Sequence, residues 1–373
     1  MRLKIGITGK NGFVGNHLYN TLGLFPDKFE NVPFKKEYFL DDKELDIFVA
    51  SCDVIVHLAA MNRHSDPKVI YDINLDLVSK LIGALDRTNS KAHILFSSSS
   101  QEDKDNLYGQ SKKEGRVLFQ DWAERSGGKF TGMIIPNVFG PFGKPNYNSV
   151  IATFCDKLVH EQVPEIQVDG SLKLIYITEL VDGIIQRIEE GTSLYNYYVP
   201  HSAEIKVSDI LNLLEKYNKE YKNNGVIPEL NSRFEFCLFN TFRSFINPGT
   251  FFPINHALHI DQRGVFAEVI RSNTSGQFSY SITHPGITRG NHFHMRKIER
   301  FSVIKGKALI QLRRIGTSEI LNFYLDGNEP AYVDMPIWYT HNIKNIGEED
   351  LYTLFWINEF YDPNDPDTYF ENV

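Results

Sequence analysis

Cysteine is scarce in this chain: three in 373 residues, Cys52, Cys155 and Cys237, at spacings that form neither a metal pattern nor a paired framework. A disulfide scaffold is excluded, and a reducing compartment is expected. No charged-then-apolar leader follows Met1, and no run reaches the ~18 apolar residues of a membrane span. Membrane insertion and export are therefore not expected, and a cytoplasmic location is. Basic residues are outnumbered, 39 Lys and Arg against 47 Asp and Glu, for a net charge of −8, and no basic stripe interleaved with aromatics occurs. That argues against nucleic acid as a partner. Repeats and low-complexity tracts are lacking too. What remains is a globular chain too long for one core, for which two domains are expected.

Near the N-terminus, KIGITGKNGFVGNHL reads as an apolar strand, a glycine turn and the start of a helix. Gly9, Gly12 and Gly15 fall in the pattern G-x-x-G-x-x-G. Glycine is needed where a backbone takes positive φ and approaches a pyrophosphate that rests on a helix N-terminus. Two further apolar runs, DVIVHLAA (53–60) and HILFSSSS (93–100), suit parallel strands buried on both faces. Tyr108 and Lys112 follow at i and i+4 on one helix face. A phenol titrates near ~10 in water, and a neighbouring ammonium is expected to lower that value.

The order TGKNGFVG, HLAA, Asn74, SSS and YGQSK resembles the extended, nucleotide-sugar-modifying branch of the short-chain dehydrogenase/reductase superfamily. PNVFGPFG (136–143) and LIYITELVDGI (174–184) resemble that branch's later landmarks, and the resemblance covers about residues 1–240. It implies an α/β Rossmann-type, doubly wound parallel sheet. It also implies cofactor contacts from Gly9, Gly12, Phe13, Val14, Gly15, Leu58, Ala59, Ala60, Asn74, Tyr108 and Lys112, and a substrate contact from Asn137. Tyr108 would donate the proton in carbonyl reduction, with Lys112 beside it. The family's serine falls on Ser99, although the run Ser97–Ser100 leaves the register open by one residue. An NAD-specific fold places an acid about 20 residues beyond the glycines. Here that region reads FENVPFKK, and Lys35 and Lys36 stand where a 2′-phosphate would be met, so NADP(H) is the expected cofactor.

The C-terminal part carries a different signal. His292 and His294 in GITRGNHFHMRKIERFSVIKG project from one strand face at i and i+2, with Glu299 after them and His341 in DMPIWYTHNIKN. Three imidazoles and a carboxylate form a ligand set for Zn²⁺, with Fe, Mn and Ni as rivals. The spacing Gly-x5-His-x-His-x4-Glu-x6-Gly, then Pro-x4-His-x3-Asn, resembles the two motifs of the cupins. These are all-β jelly-roll barrels with a metal or ligand site inside. One departure is Trp338, two residues after Pro336, where the family usually has the glycine of a turn. DQRGVFAEVI (261–270) and ITRGNHFH also resemble landmarks of the nucleotide-linked 4-keto-6-deoxy sugar 3,5-epimerases. By that resemblance Arg263, Phe266 and Glu268 contact the nucleotide and Arg289 the diphosphate.

A change of rhythm marks the boundary. Helices and strands alternate up to about Lys222, with KVSDILNLLEKYNKEYK as an amphipathic helix capped by Ser208 or Asp209. After INPGTFFP (246–253) short strands take over, so the expected domains are 1–245 and 246–373. Phe234, Phe236, Phe239, Phe242 and Phe245 read as a helix packing against the first domain. Shared stretches across both parts, KPNYNSVIATFC, GITRGNHFH and NEFYDPNDPDTYF, make the whole chain resemble a family of bifunctional capsular-polysaccharide enzymes. In that family the cupin epimerises carbon 3 of a UDP-linked 4-keto-6-deoxy-N-acetylhexosamine, a UDP-2-acetamido-2,6-dideoxy-hexos-4-ulose. The first domain then reduces carbon 4 with NADPH to UDP-N-acetyl-6-deoxy-L-talosamine, on the route to UDP-N-acetyl-L-fucosamine. The order follows from chemistry, since the carbon-3 proton is acidic only while carbon 4 is a ketone. The rival reading is a redox-neutral nucleotide-sugar 4-epimerase carrying a cupin sensor. Both parent families pair their subunits, so a homodimer is expected.

Overall fold

The apolar runs of the N-terminal half become strands because both of their faces are covered. Val54–His57 and Phe130–Ile135 are buried at every position. In the computed structural model, which describes residues 2–373, they join a six-stranded sheet. Its order is Phe29–Val32, Leu3–Thr8, Val54–His57, His93–Ser99, Phe130–Ile135, Leu194–Tyr198, and every pairing is parallel. Chain order reverses beside Leu3–Thr8, and that reversal opens a crevice at the carboxyl ends of the strands. Helix Leu107–Ser126 begins where the Asn106 side chain accepts the Gly109 N–H at 2.8 Å and ends at Gly127, φ +69°. Helix Pro67–Arg87 starts with proline after the capping Asp66. Phe34, Phe48, Phe96, Phe119, Trp122 and Phe130 form one buried cluster of this unit.

The C-terminal strands pair antiparallel throughout, in two five-stranded sheets. One runs Ile254–Asn255, Ala331–Met335, Glu299–Lys305, Leu351–Ile357, Gln277–Thr283. The other runs Ile320–Asp326, Lys307–Arg314, Tyr339–Asn345, Thr288–Phe293, Tyr369–Phe370. Val303, Ile310, Leu312, Val333 and Leu351 are fully inside the core of this region. A separate hairpin pairs Leu258–Asp261 with Gly264–Ala267.

Two compact units result: residues up to Thr153 with Ile166–Asp209, and Phe154–Glu165 with Ile210–Val373. The stretch Ile210–Phe245 thus groups with the β-rich unit, whereas the change of rhythm drew the line at Phe245/Ile246. Rhythm reports secondary structure, while grouping follows the apolar faces. Helix Arg233–Arg243, capped by Ser232, buries Phe239 and Phe242, and Phe239 meets Tyr217 and Tyr221 at ring distances of 5.2 Å. The expectation that these aromatics pack on the first domain is corrected accordingly. Helix Val207–Tyr217 begins one residue before Ser208, and the Ser208 N–H donates to Asp169 at 2.9 Å. Its cap comes from a distant carboxylate rather than from Ser208 or Asp209. No helix among the described residues is long and apolar enough to cross a membrane.

Two candidate active sites

Thr8 ends the first strand, and Gly9 follows at φ +79°. A Cβ on Gly9 would stand 2.9 Å from the Ala59 nitrogen, and one on Gly15 2.3 Å from the Gly9 carbonyl oxygen, so neither position admits a side chain. Gly12 donates its N–H to the Gly9 carbonyl at 2.9 Å. Helix Phe13–Gly23 then opens with no side-chain cap and no acid in its first turn, with Phe13 and Val14 half-buried there. Such an end offers its N–H groups to an anion, and the narrow glycine cradle fits a dinucleotide's pyrophosphate. Thr8 Oγ1 bonds the His57 ring at 2.8 Å and accepts the Ala59 N–H at 3.3 Å, which ties Leu58–Ala60 to the glycine turn. Asn74 accepts the Met61 N–H at 2.7 Å and donates to the Met61 carbonyl and the Ser111 hydroxyl, both at 3.1 Å. Its amide therefore locks the HLAA loop to the helix carrying Tyr108. Lys35 and Lys36 are exposed just past Phe29–Val32, at the same end of the sheet as Gly9.

The four serines separate by partner. Ser97 donates to the His57 carbonyl at 3.2 Å, Ser98 to Glu102, and Ser99 hydrogen-bonds the Tyr108 phenol. Burial pushes that phenol up to about 12, with the Ser99 bond pulling it down and Tyr147 adding to the rise. The expectation that Lys112 lowers it is corrected by the geometry. The Lys112 ammonium lies 5.9 Å from the Tyr108 ring centre and donates to the Ser97 carbonyl at 2.9 Å. Burial brings Lys112 itself down to about 8, against the pull of Glu102. Glu102 is held by Arg116 at 2.8 and 2.7 Å, so this acid is locked in a buried ion pair. Asp103 is exposed.

In the β-rich unit His292, His294, Glu299 and His341 converge until their ligand atoms lie within 4.8 Å of one another. Strand pairing sets His292 opposite His341, with the register shifted at Asn291, whose φ is +61°. Glu299 opens the strand Glu299–Lys305. Each imidazole is anchored from behind by a backbone carbonyl: His292 by Gly290, His294 by Asp367, His341 by Tyr339. That leaves His294 Nε2 and His341 Nε2 facing one Glu299 oxygen at 3.1 and 3.2 Å. All three atoms are buried without hydrogen-bond geometry to any partner. Converging orphaned donors of this chemistry, backed by carbonyls, fit a borderline divalent ion such as zinc. Burial and the two neighbouring imidazoles push His292 down to about 4. Burial opposes charge on His294, but the Glu299 carboxylate outweighs it and the group is raised. For Glu299 burial works upward, and the two imidazoles hold the carboxyl below the usual range.

Trp338 occupies the turn before His341 at φ +62°, the left-handed region that glycine would favour. Its backbone N–H donates to the His294 carbonyl at 2.8 Å and its ring stacks on Phe293, centroids 5.5 Å apart. The turn thus keeps its shape with an indole in place of glycine.

The other expected contact residues are engaged with local partners or exposed. Arg263 turns back to Asp261 and Phe266 is 67% exposed, both on the separate hairpin, while Glu268 pairs with Arg271. Arg289 donates to Thr283 and to the Ile282 carbonyl at 3.0 and 3.3 Å. Asn137 is exposed on a strand beside Ser171–Tyr176 and donates to the Lys173 carbonyl at 3.1 Å. Sequence reasoning overlooked Thr8, Asn106 and Asp367. The first two have only the faint signal of a polar residue at an element's end, and Asp367 only its place in the tail NEFYDPNDPDTYF.

Known proteins share this layout. Residues 259–369 match the polysaccharide biosynthesis C-terminal domain. Over 372 residues, 98% of each chain, the protein is 34% identical to the UDP-2-acetamido-2,6-beta-L-arabino-hexul-4-ose reductase of Pseudomonas aeruginosa. The crystal structure of the capsular polysaccharide assembling protein CapF from Staphylococcus aureus superposes with a TM-score of 0.61 at 38% identity, covering 99% of this chain and all of that one. RMD from Pseudomonas aeruginosa, complexed with NADPH, shares the fold of the first part, with a TM-score of 0.54 at 19% identity over 65% of this chain and 97% of its own. Residues 5–197, more than half of the chain, match the NAD dependent epimerase/dehydratase family, and the chain belongs to that family.

Proposed function

We propose that the chain is a bifunctional UDP-sugar enzyme of capsule or O-antigen synthesis. It epimerises carbon 3 of a UDP-2-acetamido-2,6-dideoxy-hexos-4-ulose in a C-terminal cupin barrel and then reduces carbon 4 with NADPH. The product would be UDP-N-acetyl-6-deoxy-L-talosamine. One observation carries this reading: two chemically different clusters, Ser99–Tyr108–Lys112 and His292–His294–Glu299–His341, sit in separate units. A redox-neutral epimerase would leave the second cluster to sensing alone, with no part in the chemistry. The substrate class is drawn from the Pseudomonas reductase, whose name specifies a UDP-linked hexul-4-ose, and the capsule setting from CapF.

In the first unit, bound NADPH supplies the hydride. Ser99 would hydrogen-bond the ketone oxygen as charge develops on it. Tyr108, pushed up to about 12, stays protonated at neutral pH and passes its proton to the nascent alkoxide, a far stronger base. Lys112, brought down to about 8, donates its ammonium to the Ser97 carbonyl and so ties the strand that carries Ser99 to the helix that carries Tyr108. Lys35 and Lys36 favour the 2′-phosphate of NADPH over the bare ribose of NADH. In the second unit His292, His294, Glu299 and His341 would hold a zinc ion, a Lewis acid that polarises a carbonyl. His292 is held neutral, and the carbonyls bonded to Nδ1 of His294 and His341 turn Nε2 of each ring inward. Four protein ligands also describe a closed structural site, so the ion's role is decided by experiment.

The test feeds purified protein a UDP-4-keto-6-deoxy-N-acetylhexosamine in deuterated water, with and without NADPH. Solvent deuterium should enter carbon 3 without NADPH, and stoichiometric NADPH oxidation should follow its addition. Product formation with no net NADPH consumption would establish the redox-neutral 4-epimerase instead.

A further inference from the structure

The loop from His294 to Glu299 joins two ligands of the cluster; its N–H groups go to the C-terminal tail, while Trp338 and Asn240 hold the His294 and Arg296 carbonyls. Asp367 accepts three successive N–H groups, Met295 at 3.1 Å, Arg296 at 3.0 Å and Lys297 at 3.0 Å. Three consecutive amides converging on one carboxylate form an anion nest, here filled from within the chain. The next N–H, of Ile298, goes to the Asn358 side chain at 2.7 Å, and Asn358 returns its own N–H to the Ile298 carbonyl at 3.1 Å. Lys297 is 2% exposed and donates its ammonium to the Pro366 carbonyl at 2.7 Å. Asp367 also accepts from His294 Nδ1 through its own carbonyl. It is buried and sits at φ +41°, a left-handed conformation that aspartate tolerates better than most residues.

We infer that Asp367 is the positioning residue of the His/Glu cluster: it fixes the ring of His294 and the start of the Glu299 strand together, so that the tail governs how tightly the ion is held. The inference rests on the cluster being a metal site. Asp367 is not a ligand, because its carboxylate is spent on the three amides. Without it, three N–H groups, that of Lys297 fully buried, lose their acceptor and the loop between two ligands is released. The carbonyl behind His294 survives the substitution, but the carboxylate contacts that fix its place in the tail are lost. Partners of this kind typically contribute 10- to 100-fold to metal affinity.

The experiment compares the full-length protein with Asp367→Ala and Asp367→Asn, each stripped and reloaded with Zn²⁺ or Co²⁺. Ile310→Ala, in the same β-rich unit and opposite Ile343 rather than a ligand, serves as a control for stability loss alone. Competition with a chromophoric chelator should show Zn²⁺ bound about 10- to 100-fold more weakly by Asp367→Ala. Asp367→Asn, which keeps one acceptor oxygen, should fall between it and the parent. The Co²⁺ absorption bands should shift in both Asp367 variants and stay unchanged in Ile310→Ala. Should Asp367→Ala fail to fold, Asp367→Asn carries the comparison alone. Parental affinity and spectrum in the Asp367 variants would overturn the inference while leaving the metal site standing. Equal weakening in Ile310→Ala would reduce Asp367 to a merely structural role. A parent that binds neither ion would overturn the metal site and this inference with it.

Discussion

Tyr108 differs from an ordinary exposed tyrosine by one hydroxyl contact and by burial. Tyr108→Phe removes the proton donor and little else, so NADPH oxidation should fall by roughly 100-fold or more. Solvent exchange at carbon 3 should continue at the parental rate. A stopped NADPH assay beside proton NMR in deuterated water reads both, and lost exchange in a folded variant would refute the two-site reading. Lys35→Ala with Lys36→Ala should raise the KM for NADPH and leave that for NADH nearly unchanged. Equal catalytic efficiency with both cofactors in the parent would refute that preference. Trp338 sets two effects against each other. Replacing it with glycine relieves a left-handed backbone worth roughly 1–2 kcal/mol. It also removes a buried indole stacked on Phe293, and losses of that kind run to about 3–5 kcal/mol. The packing loss wins, so Trp338→Gly should lower the denaturant midpoint of the β-rich unit, and a raised midpoint would show that strain dominates.

Among elements, the strand Val54–His57 shows burial turned into pH dependence. His57 is fully enclosed, and burial, with Lys112 adding to it, pushes the ring down to about 3. The unfolded chain then binds a proton that the folded one refuses as pH falls below 6.5, so stability is complete above that value and drains away toward pH 3. The displacement is worth on the order of 5 kcal/mol at low pH. His57→Gln should move the acid-unfolding midpoint of the first unit to lower pH, followed by circular dichroism, and an unchanged midpoint would refute this account. Strands of this kind were legible in the sequence because a run buried on both faces must be continuously apolar. The glycine turn, the Tyr108 helix and the four-residue ligand set were legible too, since each needs particular side chains at short spacing. What short spacing could not show was tertiary. The choice of Ser99 over its neighbours depends on where a helix places a phenol nine residues later, and the Asp169 contact at the start of helix Val207–Tyr217 comes from the loop before a distant strand. Lys112 misled for the same reason: its helical position points to Tyr108, while its ammonium is taken by Ser97.

At the scale of the whole molecule, two chemistries in two units should separate under chelation. Stripping the ion should abolish carbon-3 exchange, whereas a substrate already epimerised should still be reduced with NADPH consumption. Loss of both activities together would join what the fold keeps in separate units. The edge strand Gln277–Thr283 exposes Phe278 at 56% and Tyr280 at 68%, a surface that a second copy would cover. Light scattering should therefore give about twice the 42.9 kDa of one chain, and a 42.9 kDa particle at micromolar concentration would refute the dimer. The interleaving of the units along the chain bears on how the molecule can be dissected. Phe154–Glu165 belongs with the C-terminal unit although it lies inside the sequence of the other, and Glu161 pairs there with Lys222 at 3.5 Å. No single stop codon or protease cut can release either unit whole. A fragment beginning at residue 246 would leave behind Tyr221, which donates to the buried Asp334 at 2.7 Å, and Arg243, which donates to the Met335 carbonyl at 3.0 Å. It would expose the back of the sheet whose front carries Glu299. Loss of carbon-3 exchange in such a fragment would report a broken scaffold, and the first 245 residues would carry an orphaned helix in place of a clean terminus.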